Sequence, residues 1–293
     1  MKIKNILVIA DKSDPKNKAL ARAKLMADRH KASLHIVVSC YERLDVLSAK
    51  ISNAKKKEVQ ENILKENKKW LSSQIKKEKL TRVSSYESIW EKSIHEWVVK
   101  KCKKESFDVI IKAGSNIRTS REIPINWHIL RNGLVPVLLI AEKKWRKKQS
   151  IMVSLDLSSK VKSKQDLNRK LVEAGVLLAT VMDVPLNFAF SLSCSPVLKE
   201  LGIIEPRQLM KEARQKFLPI IQEMAGDFDV AAENVHIKVG NAENVIPSIA
   251  SKTAAGLVII GTVGRKGLKG KLLGNTAERI LALLKTNILV IQP

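Results

Sequence analysis

A glycine-rich stretch near the end of the chain has the residue types that could hold a phosphate. Residues 261–274 contain five glycines and four Lys or Arg residues. Without side chains, Gly261, Gly264 and Gly274 would let backbone N–H groups approach an anion closely. The stretch follows an apolar run at 257–260 and precedes an apolar helix. Its amides and the helix N-terminus therefore predict a phosphate site.

The helix after this loop has a capping signal. Asn275 is its predicted N-cap, and Glu278 stands three residues later, as in a capping box. Arg265 and the nearby lysines add positive charge around the loop. Turn geometry and helix capping would also account for these residues, so the spacing alone leaves a purely structural role open. The loop matches neither the P-loop, which has Ser or Thr after its Gly-Lys pair, nor the GxGxxG pattern.

No catalytic centre is recognisable in the sequence. The five histidines are scattered, no GxSxG elbow occurs, and the segment 154–160 after a predicted strand contains no glycine. Cys40, Cys102 and Cys194 lie far apart without a CxxC motif, so we expect no disulfide framework and no metal site. We predict a binding protein and not an enzyme, with weak ATPase activity as the most that the glycine loop could support.

The net charge of +24 is concentrated in the first half of the chain. Residues 1–149 contain 35 Lys and Arg against 16 Asp and Glu, whereas residues 150–293 contain 18 against 13. Such a field attracts polyanions without selecting among them. Aromatic residues make up only 4% of the chain and are not interleaved with cations as in a base-stacking surface. We therefore expect a solvated basic surface, and nucleic acid is only a minor alternative as a partner.

The apolar runs are short. None approaches the roughly 20 residues that a membrane-spanning helix needs. The N-terminal run in 1–10 stops at Asp11 and has no small-residue cleavage site. We expect no membrane span and a cytoplasmic protein.

Two halves of the chain have the same order of segments. Each half begins with a β-rich run that ends in aspartate, followed by a helical stretch and a second strand. A later apolar strand leads through a loop and a helix to a closing strand, and the full order in both halves is β-α-β-α-β-α-β-α-β. The matching pairs are NILVIAD (5–11) with SIMVSLD (150–156), FDVIIKAG (107–114) with AGLVIIGT (255–262), and VPVLLIA (135–141) with NILVIQP (287–293). Continuous Val, Ile and Leu runs indicate parallel strands buried on both faces. The predicted fold class is α/β, with two tandem doubly wound domains, 1–142 and 150–293, each containing a parallel five-stranded sheet.

The connector between the halves predicts how the two domains associate. Residues 142–149 are short and charged, without Gly or Pro, so we expect the domains to lie side by side. Each half ends in an apolar strand, and edge strands tend to find partners. We predict that the two closing strands meet at the interdomain contact. Whether two chains also associate as a homodimer stays open.

The spacing Gly261-x2-Gly264-x9-Gly274 resembles the nucleotide loop of the universal stress protein family. Residues 261–293 are similar to the C-terminal end of the tandem, E-type members, and INWHILRNGLVPVLLIA (125–141) resembles the segment that ends their first domain. The resemblance covers essentially the whole chain. It implies the adenine nucleotide alpha hydrolase-like fold of that family and a role in stress responses.

The resemblance also implies a nucleotide site in the second domain. In family members that bind ATP, the aspartate after the first strand meets the nucleoside, and the glycine loop with the following helix holds the phosphates. For ATP or ADP, with Mg²⁺ as an accompanying ion, the implied residues are Leu155, Asp156, Ile260, Gly261, Gly264, Arg265, Gly274, Asn275 and Thr276. Asn275 departs from the pattern, which has Ser or Thr there, although an amide can still donate to a phosphate oxygen. Ala277 also replaces a position that is often Thr.

The first domain has lost more of the pattern. Ile117 stands where the second glycine would fall, and Pro124 with Trp127-His128 occupies the start of the final helix. A β-branched residue at 117 obstructs phosphate and resists positive φ. We predict no nucleotide in the first domain, although Asp11 remains.

A different kind of ligand is the main alternative. The segment 191–208, between the second strand of the second half and its helix, is apolar enough to cover a pocket beside the sheet edge. The alternative function is therefore a binding module for a lipid-like or other apolar small molecule, with no nucleotide bound.

Overall fold

A computed structural model of the chain describes residues 3–14, 16–44, 52–113, 125–132, 134–141, 149–195, 197, 200–202, 204–262 and 274–293. The chain divides between Ile140 and Ala141 into two compact units, called the N-terminal unit and the C-terminal unit below. Three predicted features lie largely outside the described residues: the loop of the first half, the connector and the glycine loop.

The N-terminal unit alternates strands and helices. Its elements are β1 (Asn5–Ala10), α1 (Lys18–His30), β2 (Ser33–Ser39), α2 (Asn53–Lys77), β3 (Val83–Ile89), α3 (Ile94–Lys104), β4 (Val109–Ala113), α4 (Ile125–Asn132) and β5 (Val137–Ile140). The strands pair in parallel in the order β3-β2-β1-β4-β5.

The C-terminal unit repeats this arrangement. Its elements are β6 (Ser150–Leu155), α5 (Lys162–Met182), β7 (Leu186–Leu192), α6 (Pro206–Ala225), β8 (Val235–Val239), α7 (Ala242–Lys252), β9 (Ala255–Gly261), α8 (Asn275–Leu283) and β10 (Asn287–Ile291). The strands pair in parallel in the order β8-β7-β6-β9-β10.

The central strands are buried along their length, as expected for parallel strands covered by helices. Every residue of β4, β5 and β10 is buried, and so are nearly all residues of β1, β6 and β9. This burial explains why these strands read as continuous Val, Ile and Leu runs without polar alternation. The predicted α/β class, with a parallel sheet in each of two tandem units, is confirmed.

Each sheet has one point where the strand order reverses. In the N-terminal unit it lies between β1 and β4, and in the C-terminal unit between β6 and β9. In open α/β sheets, ligands bind beyond the carboxyl ends of the strands at this reversal. Asp11 and Asp156 follow the first strand of their units, and Gly261 ends β9. The fold therefore brings the two halves of the predicted site to the same sheet edge.

Strand registers define which positions correspond in the two units. Ile9 of β1 pairs with Lys112 of β4, and Ser154 of β6 pairs with Ile260 of β9. Ile9 and Ser154 each stand two residues before the aspartate that follows the first strand. Lys112 and Ile260 therefore occupy the same position in the fold.

No helix in the part of the chain that the structure describes combines the length and apolarity needed to cross a bilayer.

Candidate functional site

A cavity of about 520 Å³ lies at the carboxyl ends of β6 and β9. This volume falls within the range of about 300–1,000 Å³ that is usual for small-molecule sites. The cavity brings together six of the predicted site residues: Leu155, Asp156, Ile260, Gly261, Gly274 and Thr276. Residues far apart in the sequence thus line one space at the predicted edge of the sheet.

The other three predicted site residues are Gly264, Arg265 and Asn275. Gly264 and Arg265 lie outside the described residues. Asn275 is the first residue of α8, next to two residues that line the cavity. A contact of any of these three residues with a ligand stays a prediction.

One side of the cavity is apolar. Its walls include Leu155, Leu167, Leu171, Phe190, Ile246, Ile260, Ala277 and Ile280. Nine polar side chains also line the cavity: Ser154, Asp156, Ser158, Lys164, Asn168, Ser191, Ser193, Thr262 and Thr276. An apolar floor beside hydroxyl, amide and charged groups suits a planar organic ligand that carries hydroxyl or charged groups.

Asn168 of α5 fixes the backbone at Asp156. The N–H of Asp156 donates to Oδ1 of Asn168 at 3.1 Å, and Nδ2 of Asn168 donates to the carbonyl oxygen of Asp156 at 2.8 Å. Asn168 is buried, so both bonds are shielded from competing water. The helix therefore sets the direction from which the Asp156 carboxylate enters the cavity.

The Asp156 carboxylate has two side-chain partners that can exchange. Nζ of Lys164 lies 2.9 Å from Oδ2, and the hydroxyl of Ser158 donates to Oδ1 at 3.1 Å. The side chains of Asp156 and Lys164 are 50% and 38% exposed. Because a solvated pair of this kind contributes at most about 1 kcal/mol, a ligand hydroxyl can replace either partner at small cost.

The absence of a side chain at Gly261 has a packing reason. A Cβ added there would lie 2.7 Å from Cδ2 of Leu167 and 3.1 Å from Cδ1 of Leu171, both on α5. Close packing of the helix on the end of β9 therefore requires glycine. Gly261 lines the cavity, but its predicted role beside a phosphate stays a prediction, since packing alone accounts for the residue.

Gly274, and not Asn275, is the N-cap of α8, so the predicted capping box is wrong. Gly274 has φ −60° and ψ 137°, and its carbonyl oxygen accepts the N–H of Glu278 at 3.0 Å, the first bond of the helix. No side chain makes the cap hydrogen bond. Glycine is tolerated at the N-cap almost as well as threonine, so a helix can begin at this residue without a capping side chain.

Among the described residues, neither packing nor backbone conformation requires glycine at position 274. No described atom lies within 4 Å of the place where a Cβ of Gly274 would stand, and its φ is one that any residue adopts. This open space faces the cavity that Gly274 lines. The two glycines at the site thus differ: Gly261 serves the core, and Gly274 leaves room at the start of a helix.

The corresponding edge of the N-terminal unit is built differently. Oδ2 of Asp11 lies 3.2 Å from Nζ of Lys112, while Oδ1 accepts bonds from the backbone N–H and the hydroxyl of Ser13 at 2.9 and 2.7 Å. Lys112 is only 5% exposed. Burial raises the pKa of the Asp11 carboxyl, but the Lys112 charge and the bonds from Ser13 lower it, and the pKa ends below its ordinary value.

Three residues near these sites were missed by sequence reasoning: Asn168, Lys164 and Lys112. Asn168 and Lys164 lie in a polar helix start, where nothing in the spacing distinguishes them from surface residues. Lys112 had a detectable signal, because it is the one charged residue in the apolar run VIIKA of β4. A charge inside a run that is otherwise buried must find a partner.

The model described as "Universal stress protein family" matches residues 2–140 and 166–292, which is most of the chain. The chain belongs to the universal stress protein family. Two relatives match this universal stress protein along nearly their whole length. The universal stress protein E homolog of Haemophilus influenzae is 28% identical over 318 residues, covering 100% of this chain and 98% of that protein. Universal stress protein E of Escherichia coli K12 is 26% identical over 296 residues, covering 99% and 94%.

Solved structures show the same fold for this universal stress protein. A functionally unknown protein from Pseudomonas aeruginosa PAO1 has a TM-score of 0.72 at 22% identity, covering 99% of this chain and 93% of that one. A universal stress protein from Archaeoglobus fulgidus has a TM-score of 0.67 at 12% identity, covering 100% and 99%. The tandem arrangement therefore recurs in chains of similar length.

Proposed function

We propose that this universal stress protein is a non-catalytic, cytoplasmic stress-response regulator that binds an adenine nucleotide, ATP or ADP, in its C-terminal unit. The domain limits in this proposal are those of the sequence, 1–142 and 150–293. The observation that carries it is the cavity, which unites Asp156 with Gly274 and the start of α8 at the strand-order reversal.

The nucleoside end of the proposed site is formed by Asp156 and the apolar floor. A carboxylate accepts hydrogen bonds from hydroxyl groups, so Asp156 suits the ribose. Leu155 and Ile260, both buried at the sheet edge, offer an apolar surface for the planar base. Binding would release Lys164 from Asp156, and its ammonium group would then be available to an anionic group of the ligand.

The phosphate end of the proposed site is formed by the start of α8. No described atom stands where a side chain at position 274 would lie. The first amides of a helix have no intrahelical acceptors and favour anions. Thr276 adds a hydroxyl donor at the same place. Gly264, Arg265 and Asn275 complete this end in the proposal, with Gly261 at the floor.

Magnesium would be held mainly by the nucleotide itself. No cluster of three or more His, Cys, Asp or Glu side chains that could hold a metal ion occurs among the described residues. Mg²⁺ commonly keeps several waters and binds through substrate phosphates. The chain would therefore take up Mg²⁺ together with the phosphates, and the ion would neutralise part of their charge.

Calorimetric titration of ATP into three proteins tests the proposal. We expect heat of binding with the natural protein, binding at least about 10-fold weaker with Asp156→Ala, and unchanged binding with Asp11→Ala. A tenfold loss corresponds to about 1.4 kcal/mol, which matches the loss of a hydrogen bond to a charged acceptor. Asp11 is the matched control because it follows the first strand of the other unit, and circular dichroism establishes that this variant, which leaves Lys112 without its carboxylate, is folded. Absence of binding by the natural protein, or equal binding by the natural protein and Asp156→Ala, would overturn the proposal.

An apolar ligand is the second candidate. Val197 and Leu201 are 59% and 66% exposed, in a segment that begins near Ser193 at the cavity wall. Exposed large apolar side chains can contact the hydrocarbon groups of a ligand. Native mass spectrometry of the purified protein distinguishes the two functions, because a retained acyl compound with no nucleotide mass supports the apolar ligand.

A further inference from the structure

In both units the carboxylate after the first strand has a lysine on Oδ2 and a serine on Oδ1, but the lysine comes from a different place in the fold. In the C-terminal unit the partner of Asp156 is Lys164, which comes from the surface of α5 and is 38% exposed. In the N-terminal unit the partner of Asp11 is Lys112, which comes from the buried strand β4 and has a side chain only 7% exposed. A surface lysine can turn into solvent when a ligand arrives. A strand lysine surrounded by core cannot.

Lys112 also stands at a position whose counterpart in the other unit lines the cavity. It stands where Ile260 stands, and Ile260 lines the cavity beside Asp156. Lysine is longer than isoleucine, and its Nζ reaches across the edge of the sheet to Oδ2 of Asp11. With Ser13 on Oδ1, both oxygens of the Asp11 carboxylate have partners from the chain itself.

We infer that Lys112 closes the nucleoside position of the N-terminal unit, so that each chain takes up one adenine nucleotide, in the C-terminal unit. This inference rests on the proposed function. A ribose hydroxyl that displaced Lys112 from Asp11 would leave a buried ammonium group without its carboxylate, and an uncompensated buried charge is strongly unfavourable. The closure is separate from the loss of glycines in the first half, because it acts at the other end of the site.

Transfer of the lysine to the C-terminal unit tests this inference. In Ile260→Lys the glycine loop and Gly274 are unchanged, and the new ammonium group is placed to reach Asp156 as Lys112 reaches Asp11. We expect ATP binding to weaken by about 100-fold or more in calorimetric titration. The matched control is Ile260→Met, a long neutral side chain at the same position, which should bind ATP at least about 10-fold more tightly than Ile260→Lys. Circular dichroism on both variants establishes that they are folded.

The outcomes separate the inference from the proposed function. If the natural protein binds no ATP, the proposed function fails. If the natural protein binds ATP and Ile260→Lys binds it equally well, only the role of the lysine charge fails. The same conclusion follows if Ile260→Met loses as much binding as Ile260→Lys. Should Ile260→Lys not fold, the nucleotide count per chain decides by native mass spectrometry of the natural protein in ATP. One nucleotide, lost in Asp156→Ala and kept in Asp11→Ala, supports the inference, and two nucleotides overturn it.

Discussion

At the scale of single residues, Gly261 and Gly274 show that two glycines near one site can lack a side chain for different physical reasons. Gly261 lies so close to Leu167 and Leu171 that a side chain would fit only if these leucines shifted. A side chain at Gly274 would meet no described atom. A sequence pattern records both simply as glycine. The distinction matters for function, because only a glycine that packing does not require is a sensitive probe of what a ligand needs.

We expect Gly261→Ala to destabilise the protein by about 1–3 kcal/mol, because the added methyl group overpacks the contact between β9 and α5. Urea unfolding followed by circular dichroism measures the loss. Gly274→Ala is the control, and its cost should stay below about 1 kcal/mol, the scale of an N-cap change. Equal losses in the two variants would contradict the packing account of Gly261.

Asn168 and Lys164 show why the sequence predicts part of the site and not all of it. Asp156 could be predicted because it ends an apolar run at a sheet edge. Its two helical partners could not, because their roles depend on how α5 lies against β6, and a polar helix start looks the same whether or not it faces a carboxylate. The capping box failed for a related reason, since glycine and asparagine are both acceptable caps and the sequence does not decide between them.

At the scale of elements, corresponding helix pairs are joined by different contacts. In the C-terminal unit, Arg279 of α8 lies 3.2 Å from Glu243 of α7. In the N-terminal unit, the rings of His95 on α3 and His128 on α4 are stacked with centroids 4.6 Å apart. The positions correspond, because His95 and Glu243 are the second residues of their helices and His128 and Arg279 stand four before the helix ends. An ion pair in one unit is thus replaced by two titratable rings in the other.

We expect His128 to make the N-terminal unit sensitive to acid, because its pKa is lowered in the folded chain. Burial lowers the pKa of His128, and the charges of His95 and Arg131 lower it further. A base whose pKa is lower in the folded state binds fewer protons there than in the unfolded chain. The free energy of unfolding therefore falls as the pH drops through the ordinary histidine pKa of about 6.5, and it levels off below the folded pKa.

We expect the double variant His95→Glu/His128→Arg to lose less stability than the natural protein between pH 8 and pH 5. The variant copies the ion pair between Glu243 and Arg279, which contains no histidine. Urea unfolding followed by tryptophan fluorescence is the measurement, because four of the five tryptophans, at 70, 90, 97 and 127, lie in the N-terminal unit. The other histidines leave a common pH slope in both proteins, so identical slopes would show that the stacked pair does not contribute.

At the scale of the whole molecule, the same α/β arrangement occurs twice, and the side chains at the carboxyl ends of the strands differ between the two units. The duplication and the parallel sheets could be predicted from the sequence, because buried strands leave continuous apolar runs and recur in the same order in both halves. The divergence between the copies was visible only in part. Missing glycines in the first half were apparent, whereas the Asp11–Lys112 pair required the strand register that places β4 beside β1.

If nucleotide binds in one unit alone, ATP should slow hydrogen exchange in that unit and not in the other. A ligand that binds only the folded state stabilises it by about 2.7 kcal/mol when present at 100 times its dissociation constant. We expect hydrogen exchange with ATP to slow at 154–158, 258–262 and 274–280, which surround the cavity, and to stay unchanged at 9–13, the corresponding edge of the N-terminal unit. Asp156→Ala should abolish the protection. Equal protection of both edges would mean that Lys112 does not exclude nucleotide, and protection that persists in Asp156→Ala would remove this carboxylate from the site.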